Sequence, residues 1–358
     1  MHRRLKIFSF IVLVSIAMAN CAAQEPQSTA GWPPAAQPRS TGQQTPALLQ
    51  QQEPSILTGI GVLGDSFYDE YRADDNRGGE YASATFSVVE LLARLRGMNF
   101  GPWGTWNDVR RTGYEYNWAR SGATSSTMIH EGRQHLGLAE QIRQGKVTFV
   151  WIGIGANDFS PHYIFDFQRI YEGELSGRRL ENKINRAIED VTLAVDTVKE
   201  AGAEGIVVTL FTRWDLDPNV RRDFPDEEKL QRVTDAIEAV NDGIRRLEEP
   251  GRVIVFDQNR FGQEEFLPRV RDGFLRVGWA KIDFTQCGDE PHHYLLSDCS
   301  HTGTVVNGLV ANYYFVRVLN EHFDAGIAPL SEEEILLAAG IQKPLFYFLP
   351  SLRARYPM

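Results

Sequence analysis

The run Ile56-Leu57-Thr58-Gly59-Ile60-Gly61-Val62-Leu63 carries almost no polar side chain and closes on Gly64-Asp65-Ser66. An apolar run of this length without alternation reads as a strand buried on both faces, and such strands belong to parallel sheets covered by helices. Val147–Ile154, Glu204–Phe211 and Arg252–Asp257 read the same way, and Glu115–Ala119 is a fifth candidate strand. Helical stripes lie between them. Ile184, Ile188, Val191, Val195 and Val198 mark one face of a helix that Gly202 ends, and Leu230, Val233, Ile237, Val240, Ile244 and Leu247 mark another over 226–248. Strands alternating with helices predict an α/β fold built on a parallel sheet.

Four short segments at the ends of these elements carry candidate chemistry. Ser66 follows a strand where the chain turns toward a helix, and free backbone N–H groups at such a turn stabilise negative charge. Taken alone, a serine there is more often a helix N-cap. Gly155-Ala156-Asn157-Asp158 ends the Val147–Ile154 strand, on the sheet edge where ligands bind in open α/β folds. An Asn amide there can donate to an oxyanion, and Gly122 in Asn117-Trp118-Ala119-Arg120-Ser121-Gly122-Ala123 can offer an unobstructed N–H. Both segments are also ordinary turn formers. Asp298-Cys299-Ser300-His301 places a carboxylate three residues before an imidazole, close enough to fold back and fix its tautomer. His292 and His293 lack that spacing.

Taken in order, Gly64-Asp65-Ser66, Gly122, Gly155-Ala156-Asn157-Asp158 and Asp298-Cys299-Ser300-His301 resemble the sequence blocks of the SGNH/GDSL hydrolase superfamily. The resemblance covers about residues 56–325. It implies a three-layer α/β/α, flavodoxin-like fold with a five-stranded parallel sheet in the order 2-1-3-4-5. It also implies Ser66 as nucleophile, with the Ser66 and Gly122 N–H groups and the Asn157 amide as oxyanion hole. His301 would be the general base and Asp298 its orienting carboxylate. Phe67 departs from the leucine usual after the serine, a packing position. The implied activity is that of a serine esterase. Its substrate stays open between lipid or aryl esters and O-acetylated polysaccharide, an acyltransferase using the same triad is a further option, and a non-catalytic surface binding protein is the reading from another class.

The remaining features bound the setting. A net charge of -10 argues against nucleic acid as a partner. No His/Cys/Asp cluster has metal-ligand spacing, and Gly59-x-Gly61-x-x-Gly64 lacks the context of a dinucleotide site, so no cofactor is expected. Arg3, Arg4 and Lys6 precede the apolar stretch Ile7–Ala19, too short to span a bilayer comfortably, and Ala17-Met18-Ala19 fits a cleavage site. Residues 1–23 therefore read as an export signal, with a cut before a lipidated Cys21 as the second version. The product would be periplasmic or extracellular, touching a membrane only through such an anchor. Residues 24–54 are rich in Gln, Pro, Ser, Thr and Ala and read as a disordered tether. The hydrolase domain follows over 55–325, then a C-terminal helical strap over 326–358, where Ser331-x-x-Glu334 predicts a capping box and Phe346-Tyr347-Phe348-Leu349 a docked apolar end. With Cys21 removed or lipidated, Cys287 and Cys299 form the natural disulfide, the alternative being two buried thiols. The polar-aromatic loop 97–113, with Trp103 and Trp106, is together with 159–171 a candidate wall of the substrate cleft, the alternative being aromatics packed against the sheet edge, and Trp103, Trp106 and Trp118 are candidate sugar-stacking side chains.

Overall fold

The computed structural model describes residues 59–344, apart from 74–75, 108, 110–111 and 163–165. The expected export signal, Cys21, the tether and Phe346–Leu349 lie outside the described residues. Along the chain, β1 (Ile60–Gly64) leads to α1 (Val88–Arg96) and a hairpin of β2 (Trp103–Thr105) and β3 (Thr112–Tyr114). Then come α2 (Ser125–His130), α3 (Gln134–Arg143), β4 (Phe149–Gly153), α4 (Asp166–Tyr171), α5 (Gly177–Glu200) and β5 (Gly205–Thr209). The helices α6 (Pro218–Asp223) and α7 (Glu227–Arg245) precede β6 (Val253–Phe256). An insert of β7 (Val270–Arg271), β8 (Phe274–Val277), β9 (Ala280–Cys287) and β10 (His293–Leu295) follows, and α8 (Thr304–Val310), α9 (Arg317–Phe323) and α10 (Glu332–Ala338) come last.

The main sheet is parallel in the order β1-β4-β5-β6, with Val62 opposite Trp151, Trp151 opposite Val207 and Val207 opposite Ile254. Because successive strand residues face opposite sides, these four meet the face covered by α1 and α8. Leu63, Ile152 and Val208 meet the other, covered by α2, α3, α5 and α7. Each stripe of the two long helices lands where its spacing puts it: Val191, Val195 and Val198 of α5, and Val233, Ile237 and Val240 of α7, are all buried in that second layer. On the first face Trp151 stacks on Phe315 with ring centroids 4.0 Å apart. Capping boxes start α1 at Ser87, α2 at Thr124 and α10 at Ser331.

The fifth expected strand, Glu115–Ala119, is present only as a parallel bridge between Val62 and Asn117. It lies on the free edge of β1, since Val62 donates to the Tyr116 carbonyl, and Trp118 and Arg120 donate to the Val62 and Gly64 carbonyls. The Asn117 side chain prevents a regular strand: its Nδ2 donates to the Tyr68 carbonyl and its Oδ1 accepts from the Ala119 N–H. The four-stranded insert, in the order β10-β9-β8-β7, is an element the sequence reading did not foresee. It packs Leu275, Val277, Ala280 and Ile282 into the first layer.

Candidate active site

Ser66 stands just past the carboxyl end of β1 and is 6% exposed. The turn that carries it is pinned from two sides. Gln134 of α3 accepts from the Gly64 N–H at 2.9 Å and donates to the Gly64 carbonyl at 3.1 Å. Asp65 accepts from the Phe67 N–H at 3.1 Å and, across the site, from the Ala156 N–H at 3.3 Å. Burial pushes the Asp65 carboxyl up to about 7, against the two backbone hydrogen bonds that favour its charged form.

The Gly122 and Asn157 loops are tied to one another. Asn157, 7% exposed, donates through Nδ2 to the Ala123 carbonyl at 2.9 Å, which leaves its second amide hydrogen for another acceptor. The next residue, Asp158, accepts from the N–H and hydroxyl of Ser125 at the start of α2. Gly122 has φ 78, and a Cβ there would meet nothing within 4 Å. Gly155 is the opposite case: with φ 109, a Cβ would lie 2.2 Å from the Phe211 ring, and only glycine fits.

His301 is 4% exposed, and its Nδ1 lies 2.7 Å from Asp298 Oδ2. The other carboxylate oxygen accepts from the N–H groups of Ser300 and His301, both at 3.0 Å. Burial pushes the Asp298 carboxyl up, but hydrogen bonds from the His301 ring and from the His301 and Ser300 backbone outweigh it and hold the group well below the usual carboxylate range. The imidazole packs against the rings of Phe67 at 6.0 Å and Tyr71 at 6.1 Å, which brings it beside the serine turn. Among the described residues the Ser66 hydroxyl makes no hydrogen bond, so the serine–histidine contact is not closed; such contacts commonly tighten only with substrate in place.

Residues 60–275, more than half of the chain, match the family model described as GDSL-like Lipase/Acylhydrolase. The chain belongs to this family. The match takes in Ser66, Gly122 and Asn157 and stops short of Asp298 and His301. As a GDSL-family member the chain is an ester-hydrolysing enzyme. Among solved structures it is similar to the lipase Lip_vut3 from a goat rumen metagenome, at 13% identity and a TM-score of 0.42, over 75% of this chain and 98% of that one. It is also similar to the extracellular lipase of Streptomyces rimosus, at 18% identity and 0.38 over 74% and 99%, and to the family 3 carbohydrate esterase of Clostridium thermocellum, at 14% and 0.36 over 75% and 98%. No curated protein matches the chain.

One GDSL-site residue escaped the sequence reading. Arg77 donates through Nη1 to Asp298 Oδ2 at 2.6 Å, lies 2.9 Å from His301 Nδ1, and donates through Nη2 to the Ser121 hydroxyl at 3.0 Å. A guanidinium has only donors, so Arg77 meets both Asp298 Oδ2 and His301 Nδ1 as a donor. The protonation of the imidazole therefore decides whether Nδ1 donates to Asp298 Oδ2 or accepts from Arg77. Nothing in the spacing of the polar stretch Asn76-Arg77-Gly78-Gly79 signals this contact.

The remaining expectations divide. Cys287 and Cys299 are joined by a disulfide with Cα atoms 5.3 Å apart, and Cys299 sits between the Asp and His at φ 53. The tryptophans do not gather into a cleft wall. Trp106 donates to the Gly113 carbonyl, Trp118 donates to Gln141 and lies over Gly137, and Trp103, 41% exposed, packs edge-on against Tyr114.

Proposed function

We propose that the protein is an exported serine esterase working through Ser66, His301 and Asp298. The observation that carries this reading is the Asp298–His301 pair, set beside the Ser66 turn with the Gly122 and Asn157 loops on its other side. In the first step Ser66 Oγ bonds to the acyl carbon while His301 Nε2 takes the hydroxyl proton. The carbonyl oxygen becomes an oxyanion facing the Ser66 and Gly122 N–H groups and the second Asn157 amide hydrogen. Collapse breaks the bond to the alcohol oxygen, which leaves with the proton from His301. Water then attacks the acyl-serine, again giving its proton to His301, and the carboxylic acid departs as Ser66 is restored. Asp298 holds the imidazole and balances its positive charge throughout.

An oxidising compartment is supported by the Cys287–Cys299 disulfide, and export by the basic and apolar N-terminal sequence. In one version Cys21 anchors the mature chain by lipid; metabolic labelling with palmitate, lost in Cys21→Ser, tests it.

For the chemistry, a fluorophosphonate probe is the direct test. Its phosphorus bonds to Ser66 Oγ as fluoride leaves, and mass analysis should find the adduct on the Ser66 peptide. Ser66→Ala and His301→Ala should each lower kcat by about 10⁴-fold or more, and the double variant should lose no more than either one. An unlabelled Ser66 in folded protein, or losses that multiply, would sink the reading.

A further inference from the structure

A cavity of about 490 Å³ lies beside the site, between the loops that follow β5 and β6 and the strands of the insert. That is within the ~300–1,000 Å³ of pockets that enclose small ligands. Its mouth is formed by the exposed Leu216, Asn219, Arg222 and Thr285, and buried Tyr68, Val88 and Phe261 lie among its deeper residues. Phe266, Phe284 and Tyr294 bring aromatic surface to it from the insert side.

Three amide side chains of the inner wall are already engaged by the protein. Gln258 accepts from the Tyr68 hydroxyl and donates to the Leu210 carbonyl. Asn259 accepts from the Arg213 N–H and donates to the Phe211 carbonyl. Asn307 donates to the Phe86 and Thr302 carbonyls and accepts from the Thr302 hydroxyl. A sugar ring entering this wall would exchange hydrated hydroxyls for partners already engaged, whereas an alkyl chain gives up no hydrogen bond on leaving water.

The cavity reaches the chemistry through one side chain. Phe67 lines it and also packs its ring 6.0 Å from the His301 ring, and Thr302, the residue after the histidine, lines it too. Neither Ser66 nor His301 does. We propose that this cavity receives the alkyl chain of the acyl group, with Phe67 as the partition that the chain passes on its way from Ser66, so that the substrates are alkanoyl esters well longer than acetate. The proposal rests on the esterase reading above and adds the acyl class to it. The phenylalanine that stands where the family has leucine is, on this reading, a specificity residue.

The test is kcat/KM on nitrophenyl acetate, butyrate, octanoate and dodecanoate for the wild-type chain and for two variants. Val310→Phe fills part of the wall, and Leu216→Glu puts a charge at the exposed mouth, where the fold tolerates substitution. The wild-type enzyme should favour octanoate over acetate by about tenfold or more, and each variant should cut that ratio by about tenfold. A wild-type preference for acetate overturns the proposal, and so does an unchanged ratio in Leu216→Glu. Labelling of Ser66 by an ethyl fluorophosphonate separates the two levels. Labelled protein with no chain-length preference loses this proposal alone, and unlabelled protein that turns over no ester loses the esterase reading with it.

Discussion

Replacing both Cys287 and Cys299 by alanine should damage turnover well before it damages the sheet. The bridge spans a sequence separation of 12, and cross-linking a loop of that size stabilises by about 3 kcal/mol in the chain-entropy model. The loop would not be wholly freed. Gly288 still donates to the Leu295 carbonyl, Ser297 still bonds Asp289 through its N–H and hydroxyl, and the Asp298 carboxylate still gathers the Ser300 and His301 N–H groups. What loosens is the turn at Cys299, whose φ of 53 is a left-handed conformation costing a non-glycine residue about 1–2 kcal/mol. With the bridge gone that turn can relax, and it lies between the two residues that must stay 2.7 Å apart. The assay follows esterase rate, circular dichroism and free-thiol count together across a dithiothreitol titration. The rate should fall several-fold while the far-ultraviolet signal is unchanged. A Cys287→Ala/Cys299→Gly variant, in which glycine accepts the left-handed φ, should be faster than Cys287→Ala/Cys299→Ala. Full activity with both thiols free, or equal rates in the two variants, would refute the reasoning.

Asn157→Ala should lower kcat by roughly 10²- to 10³-fold with little change in Tm, and unaltered kcat would reduce Asn157 to the residue that holds the Ala123 carbonyl. Gly155→Ala should destabilise far more than Gly122→Ala: both need a positive φ, but only at Gly155 would the new methyl meet a ring, and comparable Tm values would contradict this. Asp65 gives a pH dependence of stability. Its carboxyl is raised from 3.8 to about 7, so the folded state holds the proton more tightly than the unfolded one. Its contribution is therefore fully present below about pH 4 and is lost as pH rises toward 7, a swing of roughly 4 kcal/mol. Denaturant titrations from pH 4 to 8 should show Asp65→Asn lacking that decline, and parallel curves for variant and wild type would exclude it.

The parallel sheet was legible because its strands are apolar on both faces, and α5 and α7 because their stripes hold a strict period. The strand at 115–119 was misjudged in regularity, since its apolar pattern hides an Asn that turns its own side chain on the backbone. The insert was missed although its signal was present. Leu275, Val277, Ala280 and Ile282 alternate with exposed residues around the two-residue turn Gly278-Trp279, with Gly278 at φ 52. Ser66, Gly122, Asn157, Asp298 and His301 were singled out because their segments, in this order, resemble the family's sequence blocks; local spacing alone left each open to ordinary turn chemistry. Arg77 could not be singled out, because its partner Asp298 lies 221 residues away and no local pattern encodes a contact of that range.

That same separation has a consequence for how the protein is made. A serine at residue 66 is translated early, and β1 needs β4 before it has a partner on that edge. The histidine and its carboxylate arrive more than two hundred residues later, beyond β6 and the whole insert. Closing a loop of that length carries an entropic cost that the local contacts of the serine turn do not. If Ser66, His301 and Asp298 act together as proposed, the serine has no base until the Arg77–Asp298–His301 contacts form. On the proposed reading, a chain cut anywhere before residue 298 carries a nucleophile it cannot use.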